Sequence, residues 1–203
     1  MKNRTHIRSH GLNLLLSGHP EIKKLKKNYQ PSTHGNKVWR TSWLLVDYLK
    51  KQQLITSRHK VLDVGCGWGI CGICCARTYH AKVICADIDP DVYPYLNLHA
   101  EINKVKIDFL KLGFDQIKSK LLKDIDVIVG ADICFWDNLV DPLRRLIQRA
   151  KRASVKLILL ADPGRPTFDD LSEFFIHKSG AELLEWEIKK PYSTSGKILH
   201  IES

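Results

Sequence analysis

The stretch Val61-Leu62-Asp63-Val64-Gly65-Cys66-Gly67-Trp68-Gly69 decides the fold. An apolar strand runs into alternating glycines, and Ile70–Tyr79 then reads as a helix. Glycine lets the backbone turn tightly and approach a ligand closely, and a helix N-terminus offers free amides. The pattern places a nucleotide-like ligand at the C-terminal ends of the strands.

Strand and helix alternate outward from this loop. Val38–Gln52 is expected as an amphipathic helix before the strand Lys60–Val64. Lys82–Ala86, Val105–Ile107, Ile125–Gly130 and Val155–Leu160 are expected strands. Helices are expected from Pro90 to Asn103, over Asn138–Lys151 and over Phe168–Lys178, with Asp89 as the cap of the first. Ala181–Ile188 and Lys197–Ile201 close the chain as two strands joined by a turn, which pair antiparallel. The expected fold is α/β: a Rossmann-like doubly wound sheet of seven strands with an antiparallel C-terminal hairpin and helices on both faces.

Gly67-Trp-Gly-Ile-Cys-Gly72 also satisfies a dinucleotide fingerprint, with Asp87 twenty residues beyond Gly67. Three features oppose that reading. Asp63 makes the loop D-x-G-x-G-x-G, and a carboxylate there suits a cationic amino-acid moiety better than a pyrophosphate. The roughly 140 residues after the loop leave no room for a substrate domain. The antiparallel ending is foreign to a dinucleotide domain.

Those features resemble the class I, seven-strand S-adenosylmethionine-dependent methyltransferases over residues 37–203. The resemblance implies that S-adenosyl-L-methionine is the cofactor. It implies that Gly65, Cys66, Gly67 and Gly69 wrap its methionine part and that Asp63 helps hold the amino group. Asp87, ending the second strand, takes both ribose hydroxyls, because two acceptor oxygens match two vicinal donors. Ile88 and Ala131 flank the same site, and Asp108 and Phe109 stand where the family places an adenine acceptor and a ring contact.

The fourth strand ends in Gly130-Ala-Asp-Ile-Cys-Phe-Trp136, with neither N-P-P-Y nor Pro-Cys. DNA adenine, glutamine and C5-cytosine methylation are thereby disfavoured. Ala-Asp-x-x-Phe-Trp resembles the D-x-x-Y segment of the seven-strand protein-lysine methyltransferases and their nicotinamide N-methyltransferase-like relatives, with Phe135 in place of Tyr. Val38-Trp39 resembles that group's Val-Trp, whose ring packs near the cofactor. Asp162-Pro-Gly-Arg165 resembles a segment of bacterial members and of the electron-transfer-flavoprotein lysine methyltransferase branch. Asp132, Phe135 and Trp136 are therefore the candidate catalytic residues. An apolar aromatic slot lowers a lysine pKa, a carboxylate orients the amine, and an aromatic face holds its stem or cation. The expected activity is N-methylation of a protein amine, a lysine side chain or an N-terminus. RNA or small-molecule N-methylation, and a non-catalytic binding module on the same fold, are the alternatives.

Residues 1–36 form a basic N-terminal arm before the domain at 37–203. Residues 1–30 carry Lys2, Arg4, Arg8, Lys23, Lys24, Lys26 and Lys27 against Glu21, a net of +6 within the +10 of the whole chain. Such an arm reads as a solvated tail, as a docking element for an acidic protein or a phosphate backbone, or as a transit-peptide-like segment. It shows no recognisable RNA-binding motif, so nucleic acid is supported by charge alone. A secretory signal does not fit, because the apolar stretch from Leu12 to Leu16 is short and interrupted by Asn13. No apolar run approaches the ~20 residues of a membrane span. Of six cysteines, Cys71, Cys74 and Cys75 share one helical face without a second pair at zinc spacing, so no metal is expected. A cytoplasmic monomer acting on a protein, acidic in character, is the resulting expectation.

Overall fold

The computed structural model describes residues 5–32 and 34–202. Its main sheet has seven strands: β3 (Lys60–Val64), β4 (Lys82–Asp87), β5 (Asp108–Lys111), β6 (Val127–Ala131), β7 (Leu157–Asp162), β8 (Glu182–Ile188) and β9 (Thr194–Glu202). They lie in the order β5-β4-β3-β6-β7-β9-β8. β3 to β7 run parallel, while β9 pairs antiparallel with both β7 and β8. The seven strands, the alternation and the closing hairpin agree with the sequence expectation.

Helices cover both faces. α2 (Thr41–Gln52) and α3 (Ile70–Tyr79) bury their apolar residues on one face, where the thiols of Cys71, Cys74, Cys75 and Cys85 join the core. α6 (Asp137–Arg152) and α7 (Pro166–Ser179) cover the other. All six residues of β7 are buried, as a strand covered on both faces requires. A short turn of helix, Pro90–Val92, leads into α4 (Tyr93–Ile102), and Asp89 caps it by accepting from the Asp91 amide at 2.9 Å. α5 (Ser119–Leu122) is a single turn.

The N-terminal segment departs from the solvated tail. His6–Ser9 (β1) and Leu12–Leu15 (β2) form an antiparallel hairpin, and Pro20–Asn28 (α1) is a helix. Ile7, Leu12, Leu14 and Ile22 are buried in the molecule. The hairpin is tied down by polar side chains: Asn103 Nδ2 donates to Asn13 O at 2.8 Å, and the Asn13 amide donates to Asn103 Oδ1 at 2.9 Å. Arg77 donates to the carbonyls of Gly11 and Asn103, and buried His99 accepts from the Leu15 amide at 3.1 Å. Four-residue strands are too short for periodicity to reveal. The lysines of α1 are exposed, so the charge is real but sits on a folded surface. Lys2 and Arg4 lie outside the described residues.

The third strand of the main sheet is also displaced. It was expected at Val105–Ile107 and occupies Asp108–Lys111, because Val105, Ile107 and Phe109 alternate in a way that fits either register. Asp87 therefore pairs with Lys111, and Asp108 sits at the far end of the strand, opposite Ile84.

Candidate active site

The C-terminal ends of β3, β4, β5 and β6 surround a cavity of about 540 Å³. Its floor is the glycine loop. Gly65, Gly67 and Gly69 have φ of 60°, 50° and 77°, the left-handed region that favours glycine. A Cβ on Gly69 would meet Leu96 Cδ1 at 2.0 Å, so that glycine permits packing. A Cβ on Gly67 would meet nothing within 4 Å, so its bare backbone faces open space, and Gly67 lines the cavity with Gly65 and Cys66.

Asp87 lines the same cavity from the end of β4, beside Ile88. Its Oδ2 accepts from the Gly67 amide at 2.9 Å and its Oδ1 from the Asp89 amide at 3.0 Å. Each oxygen keeps lone-pair capacity for a further donor. Burial raises its pKa, against the pull of those amides. Asp63 is different. It is 2% exposed and lies beneath the loop, where its Oδ2 accepts from the Gly72 amide at 2.8 Å. Burial pushes its carboxyl up to about 7. It braces the start of α3 and is not among the lining residues.

The segment after β5 supplies the wall past Asp87. Leu112, Gly113, Phe114, Asp115 and Gln116 line the cavity, whereas Asp108 and Phe109 do not. Phe109 packs on Tyr93, ring centroids 5.1 Å apart. The expectation for Asp108 and Phe109 placed the third strand at Val105–Ile107; the strand instead spans Asp108–Lys111, so the residues after Lys111 face the cavity there. Locating the sheet register was the missing signal.

β6 ends at Ala131, and Asp132 follows with φ of 62°, a conformation rare outside glycine but tolerated by Asp. Its amide still donates to Ala161 O at 2.8 Å, continuing the ladder to β7. The turn sends its side chain toward α2 and the loop after β7. Thr41 Oγ1 donates to its Oδ2 at 2.9 Å, and Arg165 Nη2 donates to its Oδ1. Arg165 also donates to Asp162, whose carboxylate is fully buried and accepts the Gly164 and Arg165 amides. Burial raises the pKa of Asp162. Burial works against the Arg165 cation, but its bonds to Asp132 and Asp162 outweigh that and hold its pKa above the ordinary value. Thr41 and the function of Arg165 were not foreseen, since neither neighbours Asp132 in sequence.

Aromatic rings close the remaining side. Trp39, Phe135 and Trp136 line the cavity with His34. His34 stacks on Phe135 with centroids 3.9 Å apart and meets Trp136 edge-on at 4.8 Å. Trp39 Nε1 donates to His34 O at 2.6 Å. The segment carrying these residues is strapped over the loop: Trp68 Nε1 donates to Gly35 O at 2.9 Å, and the Ser32 amide donates to Asp89 Oδ2 at 2.6 Å. The structure thus brings together Trp39, Gly65, Cys66, Gly67, Asp87, Ile88, Ala131, Asp132, Phe135 and Trp136 around one space.

This arrangement has the fold of known methyltransferases. A tRNA (uracil-54, C5)-methyltransferase of Pyrococcus abyssi, solved with S-adenosyl-L-homocysteine, superposes with a TM-score of 0.63 at 17% identity, over 98% of this chain and 44% of that one. The human methyltransferase 10 domain containing protein superposes with a TM-score of 0.62 at 11% identity, over 89% of this chain and 93% of that one. Residues 20–178 match the family described as lysine methyltransferase, and the chain belongs to that family. The chain is 27% identical over 140 residues to the electron transfer flavoprotein beta subunit lysine methyltransferase of Danio rerio, covering 69% of this chain and 54% of that protein. It is 27% identical over 146 residues to the calmodulin-lysine N-methyltransferase of Arabidopsis thaliana, covering 67% and 47%. The chain spans about half the length of these curated relatives.

Proposed function

We propose that this chain transfers a methyl group from S-adenosyl-L-methionine to a lysine side chain of a protein. The observation that carries the reading is that Asp87, the bare Gly67 backbone and Asp132 open on one aromatic-walled cavity, in a chain of the lysine methyltransferase family. The cavity falls within the usual ~300–1,000 Å³ of small-molecule sites.

The residues present fit the cofactor. Both oxygens of Asp87 are oriented by backbone amides and retain capacity for the ribose hydroxyls. The open face of Gly67 admits a ligand against the backbone. The bound cofactor supplies an electrophilic methyl on a sulfonium. The chain then has to position a neutral amine in line and keep water out. Asp132, held from two sides by Thr41 and Arg165, is a fixed acceptor for an amine N–H. Phe135 and Trp136 flank it and offer apolar contact to the lysine stem. The strap bearing His34 and Trp39 covers the space from above.

The partner in this reading is a protein with an acidic face. The exposed Lys23, Lys24, Lys26 and Lys27 of α1 and the net charge of +10 support it. Buried free thiols suit a reducing cytoplasm. The test is incubation with tritium-labelled cofactor and cell lysate. Label that is lost on protease treatment and survives RNase is the expected result. Label lost with RNase, or found only in small molecules, would overturn the protein substrate. Cofactor binding without any transfer would leave a binding module.

A further inference from the structure

We propose that Lys37 of this chain is itself methylated by the same chain, in cis. The inference rests on the methyl-transfer reading above. Among the described residues, Lys37 is the one lysine that lines the cavity shared by Gly67, Asp87 and Asp132. Its Nζ sits 4.0 Å from the centroid of the Trp39 ring, and Trp39 lines the cavity too. An ammonium over an indole face is the arrangement by which an aromatic slot receives a lysine.

The placement follows from the anchors on either side. Gly35 is fixed through its carbonyl by Trp68, and Trp39 is fixed through its indole by the His34 carbonyl. Lys37 lies between them in a bend, outside any helix or strand. Four residues on, Thr41 bonds Asp132. Other lysines are engaged away from the site: Lys50 Nζ donates to His10 O, Lys51 pairs with Asp47, Lys156 with Asp126, and Lys197 with Asp169.

The step balances. The lone pair of a neutral Lys37 Nζ forms the new N–C bond, and the C–S bond breaks with its electrons passing to sulfur. The sulfonium becomes the neutral thioether of S-adenosylhomocysteine. The proton that the ammonium sheds beforehand goes to solvent. Tethering removes the association cost that a lysine on a separate protein bears.

The test uses the full chain with S-adenosylmethionine carrying a deuterated methyl, followed by peptide mass mapping. The label should fall on Lys37, in a fraction unchanged by about tenfold dilution of the protein. Lys37→Arg should remove it. An unlabelled Lys37 in protein that binds the cofactor by calorimetry, or an unchanged total label in Lys37→Arg, overturns the proposal alone. Failure to bind the cofactor overturns the methyl-transfer reading as well. A second readout needs no cofactor. Lys37 is exposed like Lys23 and Lys24, but its ammonium rests on the Trp39 ring, so an amine-reactive ester should acylate it more slowly than those two, and Trp39→Ala should erase the difference. Equal rates in the parent protein would show that Lys37 is not seated on Trp39.

Discussion

Arg165 binds the carboxylate of Asp132 through one arm of its guanidinium, while its other arm reaches Asp162 at 2.7 Å. One guanidinium thus braces two acidic side chains. Asp132 is consequently held in place by Arg165 on one side and Thr41 on the other. Asp132→Asn should lower methyl transfer on the order of a hundredfold while leaving cofactor affinity nearly unchanged, as expected for a positioning contact at the reacting centre. Rates measured at saturating cofactor, beside calorimetric affinities, decide it. Parent-rate transfer would remove Asp132 from the chemistry.

Arg165→Met should cost stability as well as rate. Breaking a buried ion pair costs roughly 3–5 kcal/mol, and the 28% exposure of Arg165 brings the expected loss to about 2 kcal/mol. Denaturant titration measures it. An unchanged midpoint would mean that Asp132 and Asp162 are satisfied without the guanidinium.

Asp87→Ala should weaken S-adenosylmethionine binding on the order of a hundredfold or more, since two hydrogen bonds to a charged acceptor are worth about 1.5–3 kcal/mol each. The variant also frees the Gly67 amide, so loop disorder adds to the loss. Calorimetry on the variant should show little residual heat. An affinity equal to that of the parent would remove Asp87 as the ribose acceptor.

Gly67→Ala and Gly69→Ala should fail differently. At Gly67 the methyl enters open space, so the fold is retained at the cost of a left-handed alanine, about 1 kcal/mol, while the cofactor is obstructed. At Gly69 the methyl collides with Leu96 inside the core, so thermal stability falls first. Melting curves with and without cofactor separate the two outcomes. Equal melting temperatures for the two variants would contradict the packing argument.

Asp63 should make stability depend on pH. Burial lifts its carboxyl to about 7 in the folded chain, against about 4 in an unfolded one. The folded state therefore holds a proton that the unfolded state has released. The contribution is complete below pH about 4 and is lost as the pH rises through about 7. Between pH about 5 and about 8, the melting temperature of Asp63→Asn should gain on that of the parent. A constant gap would mean that Asp63 is ionised throughout.

The N-terminal hairpin should behave as part of the core. Leu14 is fully buried, and Leu14→Ala should cost about 2–5 kcal/mol by denaturant titration. Removing residues 1–28 should uncover Trp68, Tyr95 and His99, which stack together beneath the N-terminal elements, and yield an insoluble or strongly destabilised chain. A truncated protein that melts like the parent would return this segment to the status of a tail.

Long-period features were readable in the sequence. The glycine loop, the bounds of Lys60–Val64 and Ile70–Tyr79, and the antiparallel ending follow from apolar runs and glycine positions that leave few alternatives. What escaped was short or non-local. Ile7, Leu12 and Leu14 are too few to declare a strand, yet each finds a buried place because Asn103, His99 and Arg77 satisfy the adjacent backbone. Asp108 was misplaced by a register ambiguity that only pairing with β4 resolves. The contact of Thr41 with Asp132 spans ninety-one positions and leaves no local trace. Asp63, legible as a motif, turned out to serve the loop from below.

β9 lies between β7 and β8, so the last of the sheet's seven strands in chain order becomes an interior one. Until residues 194–202 have left the ribosome, β7, apolar from Leu157 to Ala161, presents an unpaired edge. The chain must therefore pass through an adhesive, open-edged state during its synthesis, when chaperone capture or aggregation competes with closure. A premature stop before Thr194 would make that state permanent, so a truncation that removes only β9 should be as damaging as one that removes several strands.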